Sequence, residues 1–277
     1  MIAIVALAAA FALPLWRLGQ FAIADDLYSY ILLIPVVSLY LARLDRNNLP
    51  AFGAPAYKPA AIFFGGGALC LLAYRQLRPQ WPADALAVTT LALVFCVAGM
   101  GCLFLGGARM KALAFPFTFL IFMVPLPQAL RDGLESFLQY GSAEVADWMF
   151  QLSGLSYLRD GLFFKLTTIT LQVAPECSGI HSTIVLFITS LVAGQMLLRR
   201  PWKRAVLTLF VLPLALVRNA FRIFVIGQLC VQVGPQMIDS PIHHRGGPLF
   251  FALSLVPFFA LLYYLKKSEL SKPPGNR

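Results

Sequence analysis

Long apolar runs recur along this sequence, and they restrict the fold more than any other feature. Each run is long enough, or nearly long enough, to cross a hydrocarbon core of roughly 30 Å at about 1.5 Å per helical residue. Hydrophobic residues make up 59% of the chain, charged residues make up 12%, and the mean hydropathy is +0.76. Soluble domains do not have this composition. The sequence therefore predicts an all-α polytopic membrane protein.

The apolar runs predict about eight transmembrane helices. We place them at about 2–16, 27–42, 58–74, 85–106, 112–128, 178–198, 205–229 and 248–265. The first run has no basic region before it and no clear small-residue cleavage site after it, so we expect a retained helix rather than a signal peptide. We expect residues 1–277 to form a single integral membrane domain with one extracytoplasmic insertion at about 129–177.

The basic residues indicate the topology. The formal net charge is +10, but the Lys and Arg residues are scattered in short loops and do not form one face, which argues against nucleic acid as a partner. If both termini are cytoplasmic, the clusters near Arg43, Arg109, Arg199 and Lys266 lie inside and most acidic residues lie outside, as the positive-inside rule predicts. Arg75 and Arg78 are the local exception.

The insertion has a helical pattern followed by a strand pattern. Apolar residues recur at roughly helical spacing with polar residues between them. They are Leu134, Phe137, Leu138, Val145, Trp148, Met149 and Leu152. This spacing predicts an extracytoplasmic amphipathic helix that lies in the membrane interface. Asp160-Gly161 is then a turn signal between two β-prone stretches, so we expect a short β-hairpin before the sixth membrane helix.

The cysteines do not form a recognisable disulfide or metal pattern. The chain has five cysteines, with no CxxC spacing, and three of them lie deep in apolar runs, where cysteine behaves as a small hydrophobe. We therefore expect no zinc or other metal site and no cofactor.

Cys177 begins the sixth predicted segment at its outer end, in the stretch "APECSGIHS". The positive end of a helix dipole favours a thiolate at such a position, whereas the neighbouring Glu176 disfavours it. The alternative interpretation is an ordinary buried thiol at the start of a helix. His181 is one helical turn further along and is a candidate base, but we expect it to point into the helix bundle.

Other polar groups are expected at the same side of the membrane. In segment seven, Arg218 and Arg222 are four residues apart and share a helical face, with Arg222 roughly 10 Å inside the predicted outer end. They could be structural, and Arg218 in particular fits a supporting role. His243 and His244 precede segment eight. A thiol with a histidine provides a nucleophile and its base, and a guanidinium can stabilise an oxyanion.

These residues resemble the exosortase/archaeosortase family of multipass membrane cysteine transpeptidases. The resemblance extends from about residue 24 to 251. It is carried by "ADDLYSYILLIPVVSLYLA", "FLIFMVPLPQALRDGLESFLQ", "LQVAPECSGIHS", "RNAFRI" and "HHRGGPLFF". His243 has the expected spacing of four residues to Gly247 and eight to Phe251.

The resemblance implies roles for individual residues. Cys177 would be the nucleophile, Arg222 the oxyanion stabiliser or substrate-orienting group, and His243 or His244 the acid/base. Residues with implied substrate-binding or supporting roles are Arg218, Asn219, Glu176 and His181. Many relatives have a basic residue where this chain has His181.

The resemblance also implies partners and a location. The substrates would be exported proteins with a C-terminal motif, a transmembrane helix and a basic tail (PEP-CTERM-like), which are cleaved through a thioester and passed to an unidentified amine acceptor. The protein would lie in the lipid bilayer of the bacterial inner membrane, with its active site on the extracytoplasmic face. Surface display and exopolysaccharide secretion often accompany this activity.

Two other functional classes fit the residues. A transporter could use Arg218 and Arg222 to bind an anionic solute, and a non-catalytic envelope assembly factor could keep the same polar groups as buried contacts. Rhomboid-like and phosphatase-like enzymes are weaker alternatives, because the sequence has neither Gly-x-Ser-x-Gly nor a suitable carboxylate pair in an outer loop.

Overall fold

A computed structural model describes residues 2–44, 46, 49–77, 82–175, 178–239 and 247–270. Over these residues the chain divides into two units, Met1–Arg131 and Asp132–Arg277, which are described separately. The expectation of a single domain over 1–277 stays a prediction.

The described residues are predominantly helical, as the apolar runs predict. The helices are α1 Ile2–Ala10, α2 Ala12–Ala24, α3 Ile34–Leu44, α4 Tyr57–Leu77, α5 Pro82–Leu105, α6 Gly107–Ala112, α7 Ala114–Phe119, α8 Gln128–Leu152, α9 Ile180–Leu197, α10 Pro201–Gln232 and α11 Gly247–Leu270. Short 3₁₀ helices cover Asp26–Leu33, Leu120–Met123 and Pro235–Asp239.

Six helices in the described ranges are long and apolar enough to cross a membrane. They are Asp26–Leu44, Tyr57–Gln76, Pro82–Leu105, Ile180–Leu197, Pro201–Gln232 and Gly247–Leu270. A seventh span is present if Ala114–Met123 and Gln128–Leu152 form one broken crossing. The predicted segment 2–16 is divided between α1 and α2, and 112–128 consists of short helical pieces. The polytopic class is confirmed, and the count of eight stays a prediction.

The first unit is held by close helix packing and by a carboxylate. A Cβ on Gly99 would lie 3.0 Å from the Phe64 ring, so this glycine lets α4 and α5 approach each other. The Asp84 carboxylate accepts a hydrogen bond of 2.7 Å from the backbone N–H of Gln128, which satisfies a donor at the start of α8.

The predicted hairpin is present in the second unit, and the sheet has one strand more than expected. Strands β1 (Tyr157–Asp160), β2 (Phe163–Leu166) and β3 (Thr170–Gln172) pair antiparallel in that order. Gly161 has a φ of 59°, as the turn between β1 and β2 requires. Arg159 donates two hydrogen bonds to Glu144, which join β1 to α8 and raise the pKa of Arg159.

Helix α8 confirms the predicted helical spacing, but its inward face differs from the one the large apolar residues suggested. The buried residues are Leu138, Gln139, Ser142, Ala143, Ala146 and Phe150. Phe137, Trp148 and Leu152 are exposed instead. Half of these buried residues are small, and the helix packs closely against other parts of the unit: a Cβ on Gly141 would lie 2.8 Å from Leu216 of α10. An exposed apolar stripe remains, as a helix in a membrane interface requires.

Helices α9, α10 and α11 pack in alternating directions. Ser190 of α9 hydrogen-bonds Thr208 of α10, Lys203 of α10 reaches the Leu265 carbonyl of α11, and Phe221 contacts Phe250. This register places Arg218 beside the first turn of α9. The rest of α10, up to Gln232, therefore extends past the start of α9.

The C-terminal part of α10 packs against α8 and the sheet. Ala220, Ile223, Ile226 and Cys230 share one buried cluster with residues of α8 and the sheet. A Cβ on Gly227 would lie 2.6 Å from the Phe150 ring, so the approach is close. Segment seven was expected to end near 229, and α10 ends at Gln232. The expected depth of Arg222 in the membrane stays a prediction.

Candidate functional site

The structure describes the two chain segments that flank Cys177, but not the thiol itself. Glu176, Cys177, His243 and His244 lie outside the described residues. The predictions for these four residues therefore stay predictions, and the geometry that follows concerns the residues around them.

The segment immediately after Cys177 is tightly constrained. The Ser178 N–H donates a 2.9 Å hydrogen bond to the Pro175 carbonyl, and the Ser178 side chain is buried. Gly179 precedes α9 with φ 71° and ψ 21°, a left-handed conformation that disfavours side chains. Its carbonyl accepts hydrogen bonds from the hydroxyls of Ser182 and Thr183. The Ser-Gly pair after the cysteine therefore forms the turn that starts α9.

Arg218 of α10 holds this turn. Its Nη2 donates to the Gly179 carbonyl at 3.2 Å and to the Thr183 hydroxyl at 3.3 Å. The residue is only 8% exposed, so these bonds form away from water. A Cβ on Gly179 would lie 3.0 Å from Nη2, so a side chain there would push the guanidinium away from its position. Arg218 therefore holds the start of α9, and its role in a functional site stays a prediction.

Asn219 and Arg222 lie next to this contact on α10. Asn219 is 3% exposed, and a Cβ on Gly179 would lie 3.7 Å from its Oδ1. Arg222 is half-buried one helical turn after Arg218. Arg218 Nη1 and Asn219 Nδ2 are both buried and have no hydrogen-bond partner among the described residues. Buried donors of this kind are rare unless they serve a ligand or ordered water.

A second anchor holds the segment before Cys177. Gln139 of α8 is 7% exposed, and its Nε2 donates a 2.9 Å hydrogen bond to the Val173 carbonyl. The Val173 N–H donates to the Leu162 carbonyl, also at 2.9 Å. Sequence reasoning missed Gln139. The available signal was an amide side chain beside Leu138 on an amphipathic helix, which becomes informative only once the buried face is known.

His181 differs from its expected orientation. The residue lies in the first turn of α9 and is exposed, so it does not point into the helix bundle. Ile180 and Thr183 fill the buried positions of that turn instead. The expectation that His181 points into the helix bundle is therefore wrong.

The remaining cysteines do not contribute to this arrangement. Cys70, Cys96, Cys102 and Cys230 are unpaired thiols, and Cys102 and Cys230 are buried. Within the described ranges, no group of three or more His, Cys, Asp or Glu side chains is placed to hold a metal ion.

The fold and site define a class of protein: a polytopic helical membrane protein in which an arginine of α10 holds the turn that begins α9. The model of the family described as Transmembrane exosortase (Exosortase_EpsH) matches residues 3–260. The chain belongs to this family, which confirms the resemblance seen in the sequence. No curated protein and no solved structure matches the chain.

Proposed function

We propose that this protein is a membrane-embedded cysteine transpeptidase that removes C-terminal sorting signals from exported proteins. The substrate class is a protein that ends in a short motif, a transmembrane helix and a basic tail. Family membership supports a sorting role in the membrane. The single observation that carries the proposal here is the hydrogen bond from Arg218 to the Gly179 carbonyl, two residues after Cys177.

That contact links the nucleophile's segment to the helix face that bears Arg222. Arg218 and Arg222 are four residues apart on α10 and therefore project from the same side of the helix. The turn that follows Cys177 is bonded to Arg218, and Arg222 is one helical turn further along the same face of α10. A thiolate nucleophile and an oxyanion stabiliser need this proximity.

The reaction proceeds through two acyl transfers. His243 or His244 accepts the Cys177 proton, and the thiolate sulfur attacks the peptide carbonyl carbon. Arg222 stabilises the resulting oxyanion. When the C–N bond breaks, the histidine returns the proton to the leaving amine, which departs with the membrane tail. A thioester remains on Cys177, and an amine acceptor attacks it, releases the thiolate and forms a new amide.

Two further side chains have supporting roles in this scheme. Arg218 Nη1 and Asn219 Nδ2 are buried donors with no partner among the described residues, so each can bind a substrate carbonyl. We place the site at the extracytoplasmic face of the inner membrane with both termini in the cytoplasm, in agreement with the distribution of basic residues.

The test is co-expression with a tailed substrate whose size is followed by immunoblot. We expect wild type to shorten the substrate and both Cys177→Ala and Cys177→Ser to leave it intact, because only a thiolate is nucleophilic enough here. Cys70→Ser is the matched control, since Cys70 is an unpaired, half-buried thiol of α4. Membrane levels of each variant are measured in parallel. Processing that persists in accumulated Cys177→Ala would remove the thiol from the mechanism and overturn the proposal.

A further inference from the structure

The end of the α9–α11 bundle opposite Gly179 contains a basic cavity that the proposed reaction does not use. Its volume is about 310 Å³. It is formed where α9 ends, α10 begins and α11 ends. Its principal polar lining residues are Gln195, Arg199, Arg204, Lys266 and Glu269. Three of these five carry positive charge.

The carboxylate in this cavity is already occupied by backbone donors. One Glu269 oxygen accepts from the Arg199 N–H at 2.9 Å, and the other accepts from the Arg200 N–H at 3.0 Å. Glu269 therefore satisfies free amides at the start of α10, as a capping side chain does. Because Glu269 bonds to backbone amides, the side chains of Arg199 and Lys266 remain available to a ligand.

The cations differ in how firmly they are held. Arg204 donates from Nε to the Leu198 carbonyl at 2.9 Å and from Nη1 to Gln195, so its guanidinium is fixed in place. Arg199 and Lys266 are exposed, and neither forms an ion pair with any residue that the structure describes. The nearby Lys203 donates from Nζ to the Leu265 carbonyl and to the Ser268 hydroxyl, so its ammonium group is already paired. The cavity thus contains one fixed guanidinium, that of Arg204, and two exposed cationic side chains that can reorient, Arg199 and Lys266.

The apolar part of the lining indicates what kind of anion fits. Met196, Leu197 and Leu270 line the same cavity and are exposed. Because they lie at the ends of membrane-spanning helices, their surroundings are the head-group region and the upper acyl chains. A ligand that satisfies both surfaces carries a negative charge and a hydrocarbon chain.

We propose that this cavity binds the phosphate of an anionic phospholipid head group in the leaflet at the basic end of the bundle. The phosphate contacts Arg199, Arg204 and Lys266, and the glycerol and upper acyl chains lie against the leucines. Basic pockets between transmembrane helices are suited to such head groups. The bound lipid would join the ends of α9 and α11 to the start of α10. This inference does not depend on the proposed function.

The test compares two doubly substituted proteins of equal net charge. Arg199→Gln with Lys266→Gln removes the adaptable cations of the cavity. Lys58→Gln with Lys267→Gln removes two exposed basic residues that do not line it. Each purified protein is placed in nanodiscs of phosphatidylcholine with increasing phosphatidylglycerol. The melting temperature is recorded, and retained lipid is counted by native mass spectrometry.

We expect phosphatidylglycerol to raise the melting temperature of wild type and of the control, with one tightly retained lipid per chain. For the cavity variant we expect roughly 30-fold weaker binding, because each basic residue near an anionic surface contributes about fivefold. Equal stabilisation of the cavity variant would overturn the proposal. So would equal stabilisation by phosphatidylcholine alone. A matching effect of soluble glycerol phosphate would assign the cavity to a free anion and reject the lipid.

Discussion

At the scale of single residues, Gly179 connects the sequence motif to the geometry of the candidate site. It adopts φ 71°, and a Cβ there would lie 3.0 Å from Arg218 Nη2. In Gly179→Ala the guanidinium must therefore shift by a few tenths of an ångström, and the left-handed backbone costs roughly 1 kcal/mol. We expect substrate processing to fall about tenfold, because both effects act on the segment that follows Cys177. The immunoblot assay measures this.

The matched control is Gly154→Ala. Gly154 has a similar φ of 69°, but a Cβ there would have no neighbour within 4 Å. It reproduces the backbone strain without touching the site, so processing should remain near the wild-type rate. Equal losses in the two variants would mean that backbone strain alone is responsible and that the contact with Arg218 does not matter.

Substitution by lysine is expected to reduce processing by different amounts at Arg218 and at Arg222. A single nitrogen of Arg218 makes both contacts, to Gly179 and to Thr183. A lysine ammonium can make the same pair of bonds, so Arg218→Lys should hold the turn and lose only the substrate contact proposed for Nη1, which predicts a smaller loss of processing than in Arg222→Lys. Arg218→Met removes both bonds and should lose roughly 10- to 100-fold.

Arg222→Lys should lose about 10²- to 10³-fold, because an ammonium does not reproduce a guanidinium aimed at an oxyanion. Initial rates over a range of substrate levels separate the two roles. If Arg218→Lys is as inactive as Arg222→Lys, Arg218 is not simply a positioning residue. If Arg222→Lys is active, the oxyanion role of Arg222 is rejected.

At the scale of elements, the close approach of α10 to α8 determines where the cysteine segment is held. In Gly227→Ala the added Cβ would lie 2.6 Å from the Phe150 ring, which is fully buried and cannot move aside. We expect the melting temperature to fall, with a destabilisation of about 1–3 kcal/mol from overpacking. Adding Phe150→Leu should restore part of the loss, because the smaller side chain makes room.

Gly133→Ala in α8 serves as the comparison. A Cβ there has no neighbour within 4 Å, and alanine favours helix, so this change should be neutral or slightly stabilising. An unchanged melting temperature in Gly227→Ala would mean that α10 and Phe150 do not pack as closely as the structure indicates.

The β1–β2 hairpin and α8 show which features of the fold could be predicted from the sequence. The β1–β2 hairpin was predictable because Asp160-Gly161 is a local turn signal. Gln139 was not, because its role depends on the Val173 carbonyl, which is distant in the sequence. The inward face of α8 was also hidden, because alanine and serine give no hydrophobic signal although they allow close packing. Signals in neighbouring residues, such as the turn, could be recognised in the sequence, whereas contacts between distant segments could not be predicted from it.

At the scale of the whole molecule, the number of crossings determines the side on which each terminus lies. Six or eight crossings place both termini on one side of the membrane, whereas seven place them on opposite sides. The structure provides six candidate spans, or seven with Ala114–Met123 and Gln128–Leu152 as one crossing. Seven or eight crossings, but not six, place the basic residues near Arg43, Arg109, Arg199 and Lys266 together in the cytoplasm. The sequence prediction adds segment 2–16 as a crossing, so we expect eight crossings with both termini in the cytoplasm.

Terminal reporters together with one internal probe test this arrangement. A fluorescent protein that matures only in the cytoplasm should fluoresce when fused to either terminus. Asp160→Cys provides a thiol at the exposed end of β1, beside the turn to β2, in a protein whose five native cysteines are replaced by alanine. A membrane-impermeant maleimide should label it in intact spheroplasts, because the insertion faces outward. Fluorescence from only one terminus would establish an odd number of crossings. Labelling only after lysis would place the insertion, and with it the cysteine segment, inside the cell, where exported substrates could not be processed.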